Sequence, residues 1–145
     1  MKERYWTAPT EAESGRTIMV TGRDCLDKIR ESGKFPYLIR VSWKYNSLPN
    51  GYPDEIDEAL MEQADDALRA AFDADPVAYL AIITTGDGER EWLFYTRSLP
   101  IFGKVFNRAL ADIETTLPVE VSAEEDADWQ AYREFYDATY IPDEE

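Results

Sequence analysis

The chain has 145 residues, 44% of them hydrophobic and 13% aromatic, which is enough for one folded domain with an apolar core. It carries 30 acidic and 15 basic residues, and the net charge of −15 argues against binding to nucleic-acid phosphates or to anionic membrane surfaces. Histidine is absent and there is one cysteine, so Ser-His-Asp and Cys-His nucleophile systems, His-ligated zinc and an intrachain disulfide are excluded.

The composition also bears on where the protein works. The first residues lack the apolar core of a signal peptide, and no apolar run approaches the roughly 20 residues that span a bilayer. A single cysteine suits a reducing compartment. We therefore expect a soluble cytoplasmic protein that contacts no membrane.

The N-terminal third predicts a hairpin, a short helix and a strand. Residues 4–9 and 17–21 are the two hairpin strands, and a helix follows with Asp24 as its N-cap and Gly33 at its end. Residues 35–45 alternate strictly, which is typical of a strand. One predicted face carries Phe35, Tyr37, Ile39, Val41, Trp43 and Tyr45, and the other carries Leu38, Arg40, Ser42 and Lys44.

The rest of the chain alternates between helical and extended patterns. A helix is predicted over 53–72, where Ile56, Leu60, Ala64, Ala67, Leu68 and Ala71 form an apolar stripe. Strands over 76–85 and 90–97 are joined by a Gly-Asp-Gly turn. A second long helix begins after Ser98, a strand covers 117–125, and a last helix carries Trp129, Tyr132, Phe135 and Tyr136.

From residue 35 to residue 122 the predicted order is therefore β-α-β-β-α-β. That order favours an α+β, ferredoxin-like two-layer sandwich, with an antiparallel sheet covered by helices on one face. We expect a single domain over 1–145, with this core at about 35–122, an N-terminal extension at 1–34, and a C-terminal helix with an acidic tail at 123–145.

The acidic clusters are interpreted as helix starts. Residues 54–58 and 124–128 lie where a helix dipole favours carboxylates, and neither has the spacing of an EF-hand loop. No pair among the 30 acids is singled out for acid–base chemistry. Cys25 has acidic neighbours and no histidine to act as its base. The sequence thus predicts no catalytic residue, no metal site and no cofactor.

Strand aromatics are the candidate binding residues. In a two-layer fold one face of the sheet looks away from the helices, and it must be covered by the N-terminal hairpin, by the last helix or by a partner. If a partner covers it, that face would present aromatic side chains beside cations, a combination enriched in binding hot spots. The candidate residues are Arg40, Trp43, Lys44, Tyr52, Trp92 and Tyr95. Aromatic side chains in strands are more often part of the core, and that alternative stays open.

Three strings carry a family resemblance: FPYLIRVSWKYNSLPNGYPDE, ITTGDGEREWLFYTRS and LPVEVSAEEDADWQAYREF. They resemble a bacterial family catalogued as a domain of unknown function, number 695. The matching features are a V-x-W strand (41–43), a G-x-P helix start (51–53), a T-G-D-G hairpin (85–88), a W-x-F-Y-T strand (92–96) and a D-x-D/E-W-x-x-Y ending (126–132). The resemblance runs from Trp6 to Tyr136 and implies no activity. In outline the family is similar to ribonuclease E inhibitor proteins, small acidic regulators that act by binding a protein.

Three functional hypotheses follow. The first is a non-enzymatic cytoplasmic interaction or regulatory domain whose acidic surface binds a protein with a basic surface. The second is a small-molecule-binding protein or carboxylate-based enzyme that uses the aromatic and Arg-lined groove. The third is an oligomer-building role, in which apolar strand faces are buried in a homodimer.

Overall fold

The computed structural model describes residues 5–113 and 117–141. Within them lie six strands and four helices: β1 (Tyr5–Glu11), β2 (Thr17–Arg23), α1 (Asp27–Glu31), β3 (Tyr37–Lys44), α2 (Glu55–Ala74), β4 (Ala78–Gly86), β5 (Glu89–Thr96), α3 (Leu99–Leu110), β6 (Val119–Glu125) and α4 (Gln130–Thr139). Residue 4 of the predicted first strand and residues 142–145 of the predicted acidic tail lie outside the described residues.

The strands form one antiparallel sheet in the order β1-β2-β4-β5-β3-β6. The predicted α+β class is confirmed, but the ferredoxin-like prediction is not, because the sheet has six strands instead of four. The N-terminal hairpin joins the sheet through β2, which pairs with the second half of β4 from Met19↔Thr85 to Gly22↔Ile82. The two helices of the predicted core, α2 and α3, pack on one face, and the additional helix α4 packs on the other.

The first layer is built by α2 and α3. Alternation in β3 directs Ile39, Val41 and Trp43 into this layer, where they pack with apolar side chains of both helices. Helix α2 begins where the Asp54 carboxylate accepts a hydrogen bond from the Asp57 backbone N–H at 2.9 Å. Ile56 was predicted to face the core but is 74% exposed, because it lies in the first turn and the buried stripe begins at Met61.

The second layer is built by α4, which covers the face that the four-stranded prediction left open. Trp129 stacks on Tyr95 of β5, with ring centroids 4.1 Å apart and planes 11° apart. The Trp129 indole N–H donates to the Phe35 carbonyl at 2.9 Å, which fixes α4 to the start of β3. Trp6 of β1 and Val20 of β2 belong to this layer, so the hairpin and α4 depend on each other.

Helix α1 is shorter than predicted. Cys25 adopts a left-handed conformation with φ of 64°, and the Asp24 carboxylate accepts from the Cys25 N–H at 2.7 Å instead of capping a helix. The helix begins at Asp27 and has no side-chain cap. The predicted N-cap at Asp24 is therefore wrong.

The segment between β3 and α2 closes against the β4–β5 hairpin. The Tyr45 hydroxyl donates to the Gly51 carbonyl at 2.7 Å, and the Gly88 N–H donates to the same carbonyl at 2.9 Å. Gly51 has φ of 90°, and a Cβ there would lie 3.0 Å from the Asp87 backbone nitrogen. Glycine is needed at this position for both reasons.

Candidate functional site

Strand β6 is an edge strand whose outer side faces solvent. Its only pairing among the described strands is with β3, from Tyr37↔Glu125 to Trp43↔Val119. Apart from Val119, every residue of β6 is exposed. An edge strand of this kind presents unpaired backbone N–H and C=O groups along its outer side.

On the α4 side, β6 borders an acidic groove of about 210 Å³. We define the acidic groove by its lining residues Leu38, Arg40, Glu124, Glu125, Asp126, Gln130, Ala131 and Glu134. The Arg40 Nε donates to the Glu124 carboxylate at 3.2 Å, and the Arg40 Nη1 lies 3.5 Å from the Glu91 carboxylate. Four carboxylates and one arginine line the groove in the described part of the chain, so its net charge is negative.

Asp126 is held at the end of the acidic groove by three hydrogen bonds. It accepts from the Tyr95 hydroxyl at 2.7 Å and from the backbone N–H groups of Gln130 at 2.8 Å and Ala131 at 3.0 Å. Burial raises the pKa of Tyr95 well above its usual range, and the bond to Asp126 raises it further. Tyr95 thus stays a neutral donor that fixes Asp126 at the start of α4.

On the α3 side, β6 borders an apolar groove of about 350 Å³. We define the apolar groove by Phe106, Asn107, Leu110, Ala111, Ile113, Leu117 and Val119. Val121 is on the same face of β6, opposite Val41, and is 52% exposed. An exposed valine beside an apolar groove on an open strand edge is a surface suited to an apolar side chain of a partner.

The structure divides the predicted aromatic residues between the two layers. Trp43 and Trp92 lie in the first layer, with ring centroids 6.3 Å apart and each 1% exposed. Tyr95 lies in the second layer and is fully buried. Alternation in β5 places Trp92 and Phe94 in the first layer and Leu93 and Tyr95 in the second.

The other three predicted residues lie at three different places. Arg40 lines the acidic groove, and Lys44 is exposed at the end of β3 opposite Glu89. Tyr52 lines a pocket of about 340 Å³ beside the start of α2, which also includes Arg90. The six predicted side chains therefore do not meet in one groove.

Asp65 makes a part-buried contact that sequence reasoning misses, because helical periodicity puts this position on the polar, solvent side of α2. It accepts from the Trp92 indole N–H at 2.6 Å and from the Arg90 guanidinium, which also donates to Thr85 at 2.6 Å. The Asp65 and Arg90 side chains are 17% and 14% exposed. Both are engaged in joining α2 to β5, so this pair fixes the first layer in place.

The described residues also bear on metal binding and on membrane crossing. Across residues 5–113 and 117–141, no three acidic or cysteine side chains are grouped so that they could hold a metal ion. No helix in the same ranges has the length and apolarity needed to cross a bilayer.

Comparisons with known proteins identify a family and nothing more specific. The model for the Family of unknown function (DUF695) matches residues 6–136. No curated protein and no solved structure matches the chain.

Proposed function

We propose, for a chain that belongs to the Family of unknown function (DUF695), a role as a non-enzymatic cytoplasmic interaction domain. It would bind an extended, basic segment of another protein along β6. The observation that carries the proposal is an exposed edge strand with an acidic groove on one face and an apolar groove on the other.

The backbone of β6 supplies the affinity in this proposal. An added strand exchanges hydrogen bonds with the free N–H and C=O groups of an edge strand, irrespective of its own side chains. β6 contains no proline, so all of its residues retain an N–H group. Specificity then comes from the side chains on either face.

The two grooves favour a particular partner sequence. Alternate residues of an added strand point to opposite faces of the sheet. Those on the α4 side would meet Glu120 and Glu124, while those on the α3 side would meet Val119 and Val121. We infer a partner segment in which basic and apolar residues alternate.

A second copy of the chain fits this edge poorly. Antiparallel pairing of two β6 strands about Ser122 would place Glu120 of each copy opposite Glu124 of the other. Like charges directly opposite each other destabilise a strand pair. The proposal therefore favours a different, basic protein over a homodimer built through β6.

We further infer that β3 to β6, with α2 and α3, form a ferredoxin-like core. Support comes from their chain order, β-α-β-β-α-β, and from the spatial order β4-β5-β3-β6, which keeps the first and third strands of the unit in the centre. In this interpretation the β1–β2 hairpin extends one edge of the core and β6 is the other edge.

The experiment uses an eight-residue synthetic peptide that alternates lysine and valine, labelled for fluorescence anisotropy. We expect saturable binding that weakens with added salt, because exposed charge pairs are screened. Replacing both Glu120 and Val121 by lysine should weaken binding about tenfold or more, since it reverses a charge and blocks an apolar contact. A peptide alternating glutamate and valine should not bind.

The matched control variant replaces Glu62 and Ile56 by lysine. Both are exposed on α2, so the charge change is identical but lies away from β6. Binding that falls equally in both variants would show only a general charge effect and would contradict the proposal. Backbone amide shifts on peptide addition that map elsewhere than β6 would contradict it as well.

A further inference from the structure

A third groove lies between α1 and the beginnings of β3 and β4, with a volume of about 490 Å³. We call it the Tyr79 groove, and the residues that matter here are Lys28, Lys34, Phe35, Tyr79 and Arg97. The Phe35 and Tyr79 rings meet edge to face, with centroids 5.1 Å apart and planes 80° apart. The two aromatic rings thus form an apolar wall of the groove, and the three cationic side chains line the groove beside that wall.

The charge of this groove is opposite to that of the whole chain. Among the described residues three cations and no carboxylate line it, in a protein with twice as many acids as bases. Within the same part of the chain Lys28, Lys34 and Arg97 form no ion pair, whereas Arg30, which shares α1 with Lys28, lies 3.6 Å from Asp27. No described acid therefore pairs with these three cations.

An adjoining pocket extends the cationic surface past Tyr79. It has a volume of about 180 Å³ and includes Arg23 and Arg69, with Asp73 as its one acidic lining residue among those described. The Arg23 guanidinium lies 5.4 Å from the Tyr79 ring centroid. The Arg69 Nε is buried and, within the described part of the chain, has no hydrogen-bond partner.

We propose that the Tyr79 groove binds a small organic anion with a planar apolar body. Its acidic group would be held by Lys28, Lys34 and Arg97, and its ring would pack on Tyr79 and Phe35. The volume lies in the range of small-molecule sites, and such sites combine apolar walls with a few polar groups that fix orientation. The site is independent of β6, because no residue is shared between the two surfaces.

The test compares two fluorescent probes with the native protein. 8-Anilinonaphthalene-1-sulfonate carries its sulfonate on a planar naphthalene ring system, and N-phenyl-1-naphthylamine has the same rings without the sulfonate. We expect saturable one-to-one binding of the anion. The neutral probe should bind about tenfold more weakly, since several partly exposed charge pairs contribute a few-fold each.

The decisive variant replaces both Lys34 and Arg97 by glutamine, and its matched control replaces both Lys104 and Arg108 by glutamine. All four side chains are exposed, so both proteins should fold, and circular dichroism checks that they do. The first variant should lose about tenfold in affinity for the anionic probe, and the control should bind as the unmodified chain does.

Three results would overturn the proposal. The first is an equal loss of affinity for the anionic probe in both variants. The second is that the unmodified chain binds the anionic and neutral probes with equal affinity. The third is the absence of anionic-probe binding together with tight binding of a hexaglutamate peptide, which would identify the groove as a peptide site. None of these outcomes affects the lysine–valine peptide test of β6, so the two proposals fail separately.

Discussion

The two edge strands of the sheet, β1 and β6, are built in contrasting ways. In β1, Trp6 is 3% exposed and its indole N–H donates to the Thr139 hydroxyl of α4 at 2.9 Å. Its ring also meets Tyr136 and Tyr140 edge to face, with centroids 5.3 and 5.4 Å away. In β6, by contrast, six of the seven residues are exposed.

The two edge strands also differ in whether the backbone of a further strand can pair with them. Pro9 lies in the middle of β1 and has no N–H group, so it interrupts the donors that an added strand would need. β6 has no such interruption. β1 therefore contributes to stability and resists pairing with another strand, whereas β6 contributes little to the core and remains open to pairing.

Trp6→Ala gives the largest expected effect. Removing a buried tryptophan with its hydrogen bond leaves a cavity under α4, and such changes cost about 3–5 kcal/mol. Urea unfolding followed by far-UV circular dichroism measures the loss. The matched variant on the other edge is Val121→Ala, for which we expect a change within about 0.5 kcal/mol because the side chain is half exposed. Similar losses of unfolding free energy in both variants would contradict the inference that β1 contributes more to stability than β6.

Gly22→Ala tests how closely β1 packs on β2. Gly22 pairs with Trp6, and a Cβ at Gly22 would lie 2.1 Å from the Trp6 ring. The ring must move away from Thr139, so we expect a loss of about 1–3 kcal/mol. Combining Gly22→Ala with Trp6→Ala should recover part of that loss, because the clash is gone. A double variant whose loss is the sum of the two single losses would show that the clash is not the cause.

Alkaline pH should weaken the fold through its buried tyrosines. Burial raises the pKa of Tyr45 from 10.0 to about 12, and burial followed by the hydrogen bond to Asp126 raises that of Tyr95. The unfolded chain therefore releases these protons first, so stability is complete below pH 10 and falls as the pH rises to about 12. The expected slope is about 1.4 kcal/mol per pH unit for the fully buried Tyr95, and less for Tyr45, which is only part-buried and therefore partly screened by solvent.

Urea unfolding at pH 8, 10 and 11 measures that slope. Tyr95→Phe should reduce it by one proton, because phenylalanine has nothing to release, and the same holds for Tyr45→Phe. Tyr95 tells more than Tyr45 about the difference between the two edges. Its ring stacks on Trp129, which directly precedes α4, and α4 is the helix that covers β1. An unchanged slope in both variants would contradict the assignment.

Much of the fold could be predicted because local patterns decide it. Strict alternation places Val41 and Trp43 in one layer and Leu38 in the other, as the structure confirms. Phe35 was predicted on the Val41 face but packs in the second layer, because it precedes the first residue of β3. The role of the N-terminal hairpin could not be predicted, because strand pairing between distant segments has no local signal. The same limit left open whether the hairpin, the last helix or a partner covers the second face, and the structure shows that α4 packs there together with the hairpin.

The candidate surfaces were predicted less well, for a related reason. Side-chain type identified aromatic residues, but burial separates Trp43 and Tyr95 into different layers. The edge position of β6 depends on the whole strand order, which the sequence does not state. Asp65 was assigned to solvent by helical periodicity, and its partner Arg90 lies on a strand 25 residues away.

Arg40→Gln separates stability from binding on the β6 side, because we expect it to change stability little and binding measurably. Arg40 pairs with Glu91 and Glu124 at about a third exposure, so losing both contacts should cost less than about 1 kcal/mol. The same change removes the one cation that lines the acidic groove among the described residues, and the groove becomes more negative. Binding of the lysine–valine peptide should then strengthen about threefold.

Arg108→Gln is the matched control, because it removes one positive charge from exposed surface outside both grooves beside β6. If both variants strengthen peptide binding equally, net charge alone explains the gain and the acidic groove has no specific role. If Arg40→Gln weakens binding, Arg40 itself contacts the peptide and the partner must carry acidic as well as basic groups. A gain confined to Arg40→Gln would mean that β6 is recognised through Glu124 and its neighbours, the feature that β1 lacks.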